Sequence, residues 1–375
     1  MTYDVAIVGA GVFGASTALE LARRGRSVAL VDRFGSGHPA TSSTGASRSI
    51  RVGYDDAFYV DLAVEAIRLW GDLERLTGAR ILHLTGQVDL GPESKLEALL
   101  TTVRAAGAPI EVLEAKELRA RFPELRLAAG EQALFQPLAG TVMADAGLKA
   151  LLDTGLQAGV AYFAPERVIG IDLAGRSKLR TDRRVIEAEQ VVVAAGPWAK
   201  ELLAALGLPL PLAPAIAQVT FLSATSLVDR PGLAEWPSRA DAGLYGHPVP
   251  GIGYKIAFDA GQVGWDPDVE EWLPDAQEET RLLAWLAERM PDVAPLVYRT
   301  QRHPWTMTPD ADFIIDRRGP LVVAAGCSGH AFKFGPALGR VVADIVDGAD
   351  APPVTRLDRP ALRAPAPDPR APITR

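Results

Sequence analysis

The sequence predicts an α/β fold, and its first 33 residues contain the observations that lead to this prediction. Residues 3–8 are a short apolar run rich in valine and isoleucine, the composition of a strand buried on both faces. Three glycines follow at the spacing G-x-G-x-x-G, and after them come an apolar helix and a second strand that ends at Asp32. Strand, glycine turn, helix, strand and terminal acid in this order are typical of a βαβ unit that binds a dinucleotide.

Each glycine of this motif has its own physical role. Gly9 permits a tight turn, Gly11 lets the backbone approach a pyrophosphate, and Gly14 lets the helix pack closely on the strand. The helix, predicted to begin near Phe13, would direct its N-terminal N–H groups at the phosphates. Asp32 lies where a carboxylate can accept hydrogen bonds from ribose hydroxyls. A glycine turn between ordinary elements would have the same spacing, but the complete pattern favours a dinucleotide site.

Length, charge and cysteine content exclude several other classes of protein. The 375 residues predict two domains, or one large α/β domain with insertions. A net charge of -7 argues against a nucleic-acid binder. The single cysteine, Cys327, excludes an internal disulfide, and no cluster of histidines or carboxylates predicts a metal site. With no signal-like N-terminus and no long apolar run, we expect a cytoplasmic protein without a membrane span.

The segments after Asp32 alternate between helical and strand-like patterns. A glycine-rich polar stretch leads to Arg48 and Arg51, which would share one face if this segment formed a helical turn. Residues 55–76 have the periodicity of a long amphipathic helix. Residues 81–142 resemble a separate α+β unit, and a helix over 144–159 is predicted to have Asp145 as its N-cap.

The second half of the chain is less regular in pattern. An apolar strand over 190–195 closes on Gly196, and residues 209–214 are interpreted as a proline-dense linker. A strand over 321–325 and a helix over 335–347 flank a second glycine-rich turn. From residue 351 the tail is rich in proline and alanine, and we expect it to wrap the surface or fray.

Polar residues occur in apolar surroundings at four places: Arg48 and Arg51, Tyr245 and Lys255, His303 and Trp305, and His330 and Lys333. Lys255 lies in a strand-like run, where a lysine either extends to water or lies near a functional group. His330 comes just after a strand and Gly329, at the strand end where α/β sheets bind ligands, although a lone histidine is more often structural. No G-x-S-x-G pattern supports hydrolase chemistry.

Five segments resemble motifs of the D-amino-acid-oxidase-type flavoproteins. They are VAIVGAGVFGASTALELARRG with Asp32, ASRSIR, VVAAGPW, TPDADFIID and GCSGHAFKF. The resemblance runs nearly end to end and is greatest to monomeric sarcosine oxidase and its relatives acting on N-methyl amino acids, pipecolate and glycated amino acids. It implies FAD, a Rossmann-type FAD-binding domain of the GR2-like kind, and a smaller α+β substrate domain built on an antiparallel sheet.

The resemblance also implies a division of the chain. The FAD-binding domain would comprise residues 1–85, 144–215 and 310–375, and the substrate-binding domain residues 86–143 and 216–309. The implied FAD contacts are Gly9, Gly11, Val12, Phe13, Gly14, Asp32, Arg33, Ser43, Ser47, Arg48, Val168, Ala195, Gly196, Trp198, His303, Gly326, Gly329, His330, Phe332 and Lys333. In this reading the N-terminal glycines and Asp32 hold the ADP half, and the backbone of Val168 contacts the adenine.

The remaining carried-over roles concern the substrate and oxygen. The catalytic candidates are Lys255, Arg48, His330 and Tyr245, and the substrate-binding candidates are Arg51, Lys333, Trp305 and Asp259. Arg51 and Lys333 match a cation pair that binds the substrate carboxylate and so orients the α-carbon over the flavin. Lys255 matches a lysine whose charge stabilises electron transfer to O₂ beside the flavin ring.

Three positions depart from the family pattern. Relatives tether the flavin through a cysteine where this chain has His303, so we expect non-covalent FAD, with a His303 linkage as the alternative. Trp305 replaces a common tyrosine, and Asp259 replaces the histidine of sarcosine oxidase. Both changes affect the predicted substrate pocket, and Asp259 would favour a substrate with a second amine.

The resemblance therefore implies an FAD-dependent amine oxidase. A hydride would pass from the α-carbon of an amino acid, of the sarcosine, N-methyl or cyclic imino acid class, to flavin N5, and O₂ would reoxidise the flavin to give H₂O₂. The alternatives are a dehydrogenase with another acceptor, a tailoring oxidase for a larger amine, and a flavin-binding protein without turnover. We expect a monomer with a small amine substrate and O₂ as its partners, and no nucleic acid or membrane.

Overall fold

The computed structural model of the protein describes residues 2–236, 243–261, 265–269, 272–293 and 296–367. The predicted domain ranges include residues outside these, among them the end of the tail at 368–375. The strands of the described residues are β1 (Thr2–Val8), β2 (Val28–Val31), β3 (Ser47–Ile50), β4 (Leu82–His83), β5 (Gln87–Pro92), β6 (Glu111–Leu113), β7 (Glu131–Gln136), β8 (Gly140–Met143), β9 (Ala161–Phe163), β10 (Val168–Asp172), β11 (Ser177–Thr181), β12 (Val185–Val193), β13 (Ala213–Leu222), β14 (Gly232–Glu235), β15 (Leu244–Val249), β16 (Gly253–Phe258), β17 (Val297–Met307), β18 (Ile314–Arg318) and β19 (Leu321–Ala325).

Helices connect and cover these strands. They are α1 (Val12–Arg23), α2 (Ala57–Thr77), α3 (Glu93–Ala105), α4 (Ala115–Arg121), α5 (Ala144–Gln157), α6 (Ala199–Ala205), α7 (Ala276–Arg289) and α8 (Gly335–Val346). Across the described ranges, none of the helices combines the length and the apolar character that a membrane span requires.

The first sheet has five parallel strands at its centre, in the order β19-β12-β1-β2-β9. β18 pairs antiparallel with β19, and the β10–β11 hairpin pairs with the first half of β12. Apolar side chains of α1, α2, α5 and α8 form a core on one face, and a second core covers the other face. The predicted α/β class is confirmed, because apolar strands such as β1 are buried on both sides.

The second sheet contains eight strands in the order β17-β13-β16-β15-β14-β5-β7-β6. Its neighbours pair antiparallel except β5 and β14, which are parallel. One face packs against α4 and α7 through Leu118, Leu282 and Leu286. The opposite face borders the cavity described below.

A third, three-stranded sheet in the order β3-β8-β4 joins chain segments from both predicted domains. β3 and β4 belong to the predicted FAD-binding domain, and β8 to the predicted substrate domain. The division of the chain therefore stays a prediction, with a shared sheet at its boundary.

Two strands differ from the sequence-based expectation. β13 begins at Ala213, inside the segment interpreted as a linker, and it pairs over ten positions with β17, for which no strand was predicted. Pro214 and Pro304 both lie in this pair, where a proline normally argues against a strand. β17 tolerates its proline because it is the edge strand of the sheet.

Two smaller predictions have a clear outcome. Asp145 is not the N-cap of α5: the cap residue is Met143, and the Asp145 carboxylate instead accepts a hydrogen bond from the Gly45 amide at 2.8 Å.

The described part of the tail wraps the first sheet rather than fraying. Thr355 donates to the Ile315 carbonyl at 2.9 Å, and buried Arg359 pairs with Asp310 at 2.7 Å.

Candidate active site

A cavity of 1310 Å³ lies between the carboxyl ends of the parallel strands and one face of the second sheet. Strand ends of this kind are the usual ligand site of an α/β sheet. The site residues predicted from the sequence that line it are Gly9, Gly11, Val12, Phe13, Asp32, Arg33, Ser43, Arg48, Arg51, Val168, Ala195, Gly196, Trp198, Tyr245, Lys255, Asp259, His303, Trp305, Gly326, Gly329, His330, Phe332 and Lys333. Gly14 and Ser47 are not part of the lining.

The glycines of the turn allow neighbouring backbone segments to pack closely beside the cavity. Gly9 has φ +102°, and a Cβ there would lie 2.4 Å from the Ala194 carbonyl oxygen. A Cβ at Gly14 would lie 1.8 Å from the Gly9 carbonyl oxygen, so Gly14 serves the packing of α1 on β1. The N-cap of α1 is Gly11, and the Val12 amide donates to Ser43 Oγ at 2.9 Å. The N-terminus of α1 thus faces the cavity with no capping side chain of its own.

Asp32 organises the loop that follows β2. Its carboxylate accepts hydrogen bonds from the amides of Ala10 (2.8 Å), Phe34 (2.9 Å) and Gly35 (2.8 Å). A carboxylate has about four acceptor positions, so these bonds leave room for one further donor such as a ribose hydroxyl.

Arg33 and Trp198 are held together at one end of the cavity by Asp268. Trp198 Nε1 donates to Asp268 Oδ1 at 3.0 Å, and Arg33 forms an ion pair with the same carboxylate. The Arg33 guanidinium also lies 4.7 Å from the centre of the Phe34 ring. Asp268 was not predicted from the sequence, because no motif surrounds it.

Polar atoms inside the cavity indicate where a ligand would bind. Ser42 Oγ and Trp305 Nε1 are buried, and neither has a hydrogen-bond partner among the residues that the structure describes. Buried polar atoms of this kind are normally satisfied, so a ligand is expected to complete them. Together with the glycine turn, they fit a dinucleotide cofactor such as FAD. In the same described ranges, no three His, Cys, Asp or Glu side chains are grouped to hold a metal ion.

Strand alternation explains how the second sheet supplies chemistry to the cavity. Alternate residues of a strand point to the same face, so Tyr245, Lys255 and His303 face the cavity while Tyr254 and Ile256 pack in the core beneath α7. Lys255 is only 1% exposed. A lysine that reaches for water is therefore excluded.

Lys255 and Arg48 share one backbone carbonyl. Lys255 Nζ donates to the Ser47 carbonyl oxygen at 3.1 Å, and Arg48 Nη1 donates to the same oxygen at 2.7 Å. Arg48 Nη2 also donates to the carbonyls of Ser42 and Thr44. Burial lowers the pKa of Arg48 to about 10, and burial together with Arg48 holds the pKa of Lys255 well below its usual range. The Ser47 hydroxyl contacts buried His247 Nε2 at 3.1 Å.

Arg48 and Arg51 both line the cavity, although the helical turn that would have placed them on one face is not formed. Residues 47–50 form β3 instead, and Arg51 follows directly after this strand. Arg51 instead lies over the ring of Tyr54, with 4.3 Å between the guanidinium carbon and the ring centre. Lys333 Nζ donates to the Tyr54 hydroxyl and to the His330 carbonyl, each at 3.0 Å.

Asp259 lines the cavity close enough to this cation pair to interact with it electrostatically. Burial raises the pKa of Asp259 to about 6, against the opposing effect of Arg51 and Lys333. Burial and Arg51 hold the pKa of Lys333 well below its usual range, and Asp259 acts in the opposite direction. This part of the cavity thus places Arg51 and Lys333 near a carboxyl group whose pKa is about 6.

His330 is packed among aromatic rings. Its ring lies 4.6 Å from that of Phe313, and its Nε2 is 3.0 Å from the Ala311 carbonyl oxygen. These contacts favour a packing role beside the cavity. Tyr54 was missed in the sequence although it lies three residues after Arg51, because a single tyrosine beside a motif carries no distinguishing signal.

Comparisons with known proteins agree with this geometry. A family model described as FAD dependent oxidoreductase matches residues 4–345. The chain is 31% identical over 360 residues to monomeric sarcosine oxidase of Bacillus sp. (strain B-0618), with 92% of each chain covered. It is 29% identical over 361 residues to peroxisomal sarcosine oxidase of Homo sapiens, again covering 92% of each.

Solved structures share the whole fold. NikD, described as an unusual amino acid oxidase essential for nikkomycin biosynthesis, matches with a TM-score of 0.81 and 26% identity, covering 92% of this chain and 94% of NikD. Glycine oxidase from Geobacillus kaustophilus matches with a TM-score of 0.78 and 26% identity, covering 93% of this chain and 96% of that enzyme. The chain therefore belongs to the FAD dependent oxidoreductase family, as an FAD-dependent oxidoreductase that acts on CH–NH groups.

Proposed function

We propose that the protein is an amine oxidase that oxidises the C–N bond of an amino acid of the sarcosine, N-methyl or cyclic imino acid class and uses O₂ as its acceptor. The observation that carries this proposal is that half-buried Arg51 and buried Lys333 line the same cavity as the glycine turn. Two cations at low dielectric would bind an α-carboxylate strongly and fix the position of the α-carbon.

Residues around the glycine turn would hold the cofactor. The N-terminus of α1 would face the pyrophosphate, and Asp32 would accept a bond from the ribose. Bound FAD would supply the redox chemistry, accepting a hydride and passing electrons to O₂. The chain's own side chains contribute binding, orientation and charge.

The substrate would react as the neutral amine without an obligate side-chain base. Burial and the nearby charges of Arg51 and Lys333 both disfavour the protonated, positively charged form of the substrate amine. Tyr245 would flank the substrate from the second sheet, where burial raises the pKa of its hydroxyl and keeps it protonated. The cytoplasmic location and the monomeric state stay predictions from the sequence.

The proposed acceptor can be tested with a panel of amines. Purified protein loaded with FAD is expected to release H₂O₂ with N-methyl or cyclic amino acids, faster than with primary amino acids. The measurement is peroxide formation across N-methyl, cyclic and primary amino acids. Reduction of the flavin without peroxide would favour a dehydrogenase. Turnover of larger amines alone would favour a tailoring oxidase, and the absence of any flavin reduction would favour a flavin-binding protein without turnover.

Lys255 is proposed to stabilise the charge that develops on O₂. Lys255→Met is expected to slow reoxidation of the reduced protein by air by about 100-fold, the usual cost of removing one preorganised stabilising group. Rapid-mixing absorbance of the flavin measures this rate. Lys149→Met, at an exposed lysine on α5, is the matched control. An unchanged rate in Lys255→Met would support the dehydrogenase alternative.

We propose that FAD is bound without a covalent bond, with a linkage through His303 as the alternative. Burial, Arg48 and Lys255 hold the pKa of His303 well below its usual range, so the imidazole is neutral. Acid precipitation is expected to leave a colourless pellet and a yellow supernatant. A yellow pellet that becomes colourless in His303→Ala would establish the linkage instead.

Asp259 is proposed to favour a substrate with a second amine. The ratio of kcat/KM for lysine-like substrates to kcat/KM for sarcosine is expected to exceed one at pH 7.5. This ratio should decrease when the pH is lowered past about 6, because the Asp259 carboxyl then becomes protonated. In Asp259→Asn the ratio should be about tenfold lower and independent of pH, because a bond to a charged group is lost. Lysine-like substrates no better than sarcosine in the unmodified protein would contradict this role.

A further inference from the structure

We propose that Tyr54 and Trp236 form an aromatic clamp around the Arg51 guanidinium, and that buried Asp89 is the positioning residue that holds the clamp in place. The inference rests on the proposed function, in which Arg51 binds the substrate carboxylate. It assigns a role to three residues that lie outside every motif of the sequence.

The clamp consists of two rings on one guanidinium. The Arg51 Cζ atom lies 4.3 Å from the centre of the Tyr54 ring and 5.3 Å from that of the Trp236 ring. An arginine guanidinium can stack on an aromatic face, and its N–H groups then point outward within the guanidinium plane. Contact with two rings therefore restricts the orientation of the Arg51 guanidinium, and with it the directions from which a carboxylate can accept hydrogen bonds. The Tyr54 hydroxyl also accepts a bond from Lys333, so one side chain contacts both cations.

A hydrogen bond to Asp89 holds the Trp236 indole in position. Trp236 Nε1 donates to Asp89 Oδ1 at 3.0 Å, and the Trp236 amide donates to the neighbouring Leu90 carbonyl at 2.8 Å. Asp89 is fully buried in β5 and also accepts bonds from Gln87 Nε2, at 3.0 Å, and from Gln136 Nε2. The indole is thus held to β5 by both its ring and its backbone.

Gln136 extends the same network to the other side of Arg51. Its Oε1 accepts bonds from the amides of Val52, at 3.1 Å, and Gly53, at 2.6 Å, while Arg51 itself donates to the Gly53 carbonyl. Because two backbone donors fix Oε1, the amide cannot rotate and Nε2 must point at Asp89. Asp89 therefore connects the loop that carries Arg51 with the ring that covers it.

The chemistry of this network requires an acceptor without a proton at position 89. Trp236, Gln87 and Gln136 each direct a donor at the side chain, and an asparagine would oppose one of them with its own N–H. Burial raises the pKa of Asp89, and the positive charge of Arg51 together with the three donors offsets part of this rise. The carboxylate is thus matched to donors alone, and its negative charge attracts the cation that it positions.

Acetate binding to the FAD-loaded protein tests the clamp without turnover. The dissociation constant, followed by the absorbance change of the flavin or by calorimetry, is expected to rise about tenfold in Asp89→Asn and in Trp236→Leu. Trp236→Phe keeps a ring over Arg51 and loses only the bond to Asp89, so a smaller rise of about threefold is expected. Trp285→Phe is the matched control, because that indole donates to Glu235 on the other face of the sheet.

A second readout separates positioning from general damage. The ratio of kcat/KM for sarcosine over dimethylamine, which lacks the carboxylate, should fall about tenfold in Trp236→Leu and stay unchanged in Trp285→Phe. Equal losses for both substrates, or acetate constants within twofold of the unmodified protein in both Trp236 variants, would overturn the proposal. If Asp89→Asn does not fold, the Trp236 pair decides. Acetate binding without oxidation of any amine would contradict the proposed function and leave the clamp testable.

Discussion

Buried positive charge at the junction of the two large sheets is the constraint on which the rest of the site depends. Arg48, Lys255, Arg51 and Lys333 line one cavity, and burial disfavours the charged forms of Arg48, Lys255 and Lys333. Backbone carbonyls, aromatic faces and the carboxylates of Asp89 and Asp259 offset part of this cost. The positive charge that these groups leave uncompensated favours the binding of anions, and both a pyrophosphate and an α-carboxylate are anions.

The two large sheets contribute different groups to the site. The parallel sheet ends in backbone turns that can approach a cofactor closely, such as the turn at Gly9 beside Ala194. The second sheet offers side chains from one face, because alternate residues of β15, β16 and β17 point the same way. A rigid sheet on each side explains how long cationic side chains such as Lys255 keep defined positions.

Local parts of this arrangement could be predicted from residue patterns, whereas the grouping of Arg51, Lys255 and Lys333 in one cavity could be predicted only from the family resemblance. The glycine turn, the strand before it and the helix after it follow from spacing and composition within a few residues. β17 was missed because its pairing with β13 overrides the prolines within both strands. The contact of Asp89 with Trp236 spans 147 positions of the chain, and no local pattern reports such a pairing. The helical turn considered for Arg48 and Arg51 does not form, because pairing with β8 in the third sheet keeps residues 47–50 extended.

That extended segment has a consequence for how the protein could be redesigned. The direction of each side chain between Ser47 and Ile50 depends on whether its position is odd or even, since β3 is held in register by β8. Adding or removing one residue within the strand would turn the strand residues after it to the opposite face, whereas exchanging a side chain would not. Libraries aimed at new substrates should therefore vary residue identity in this stretch and keep its length constant.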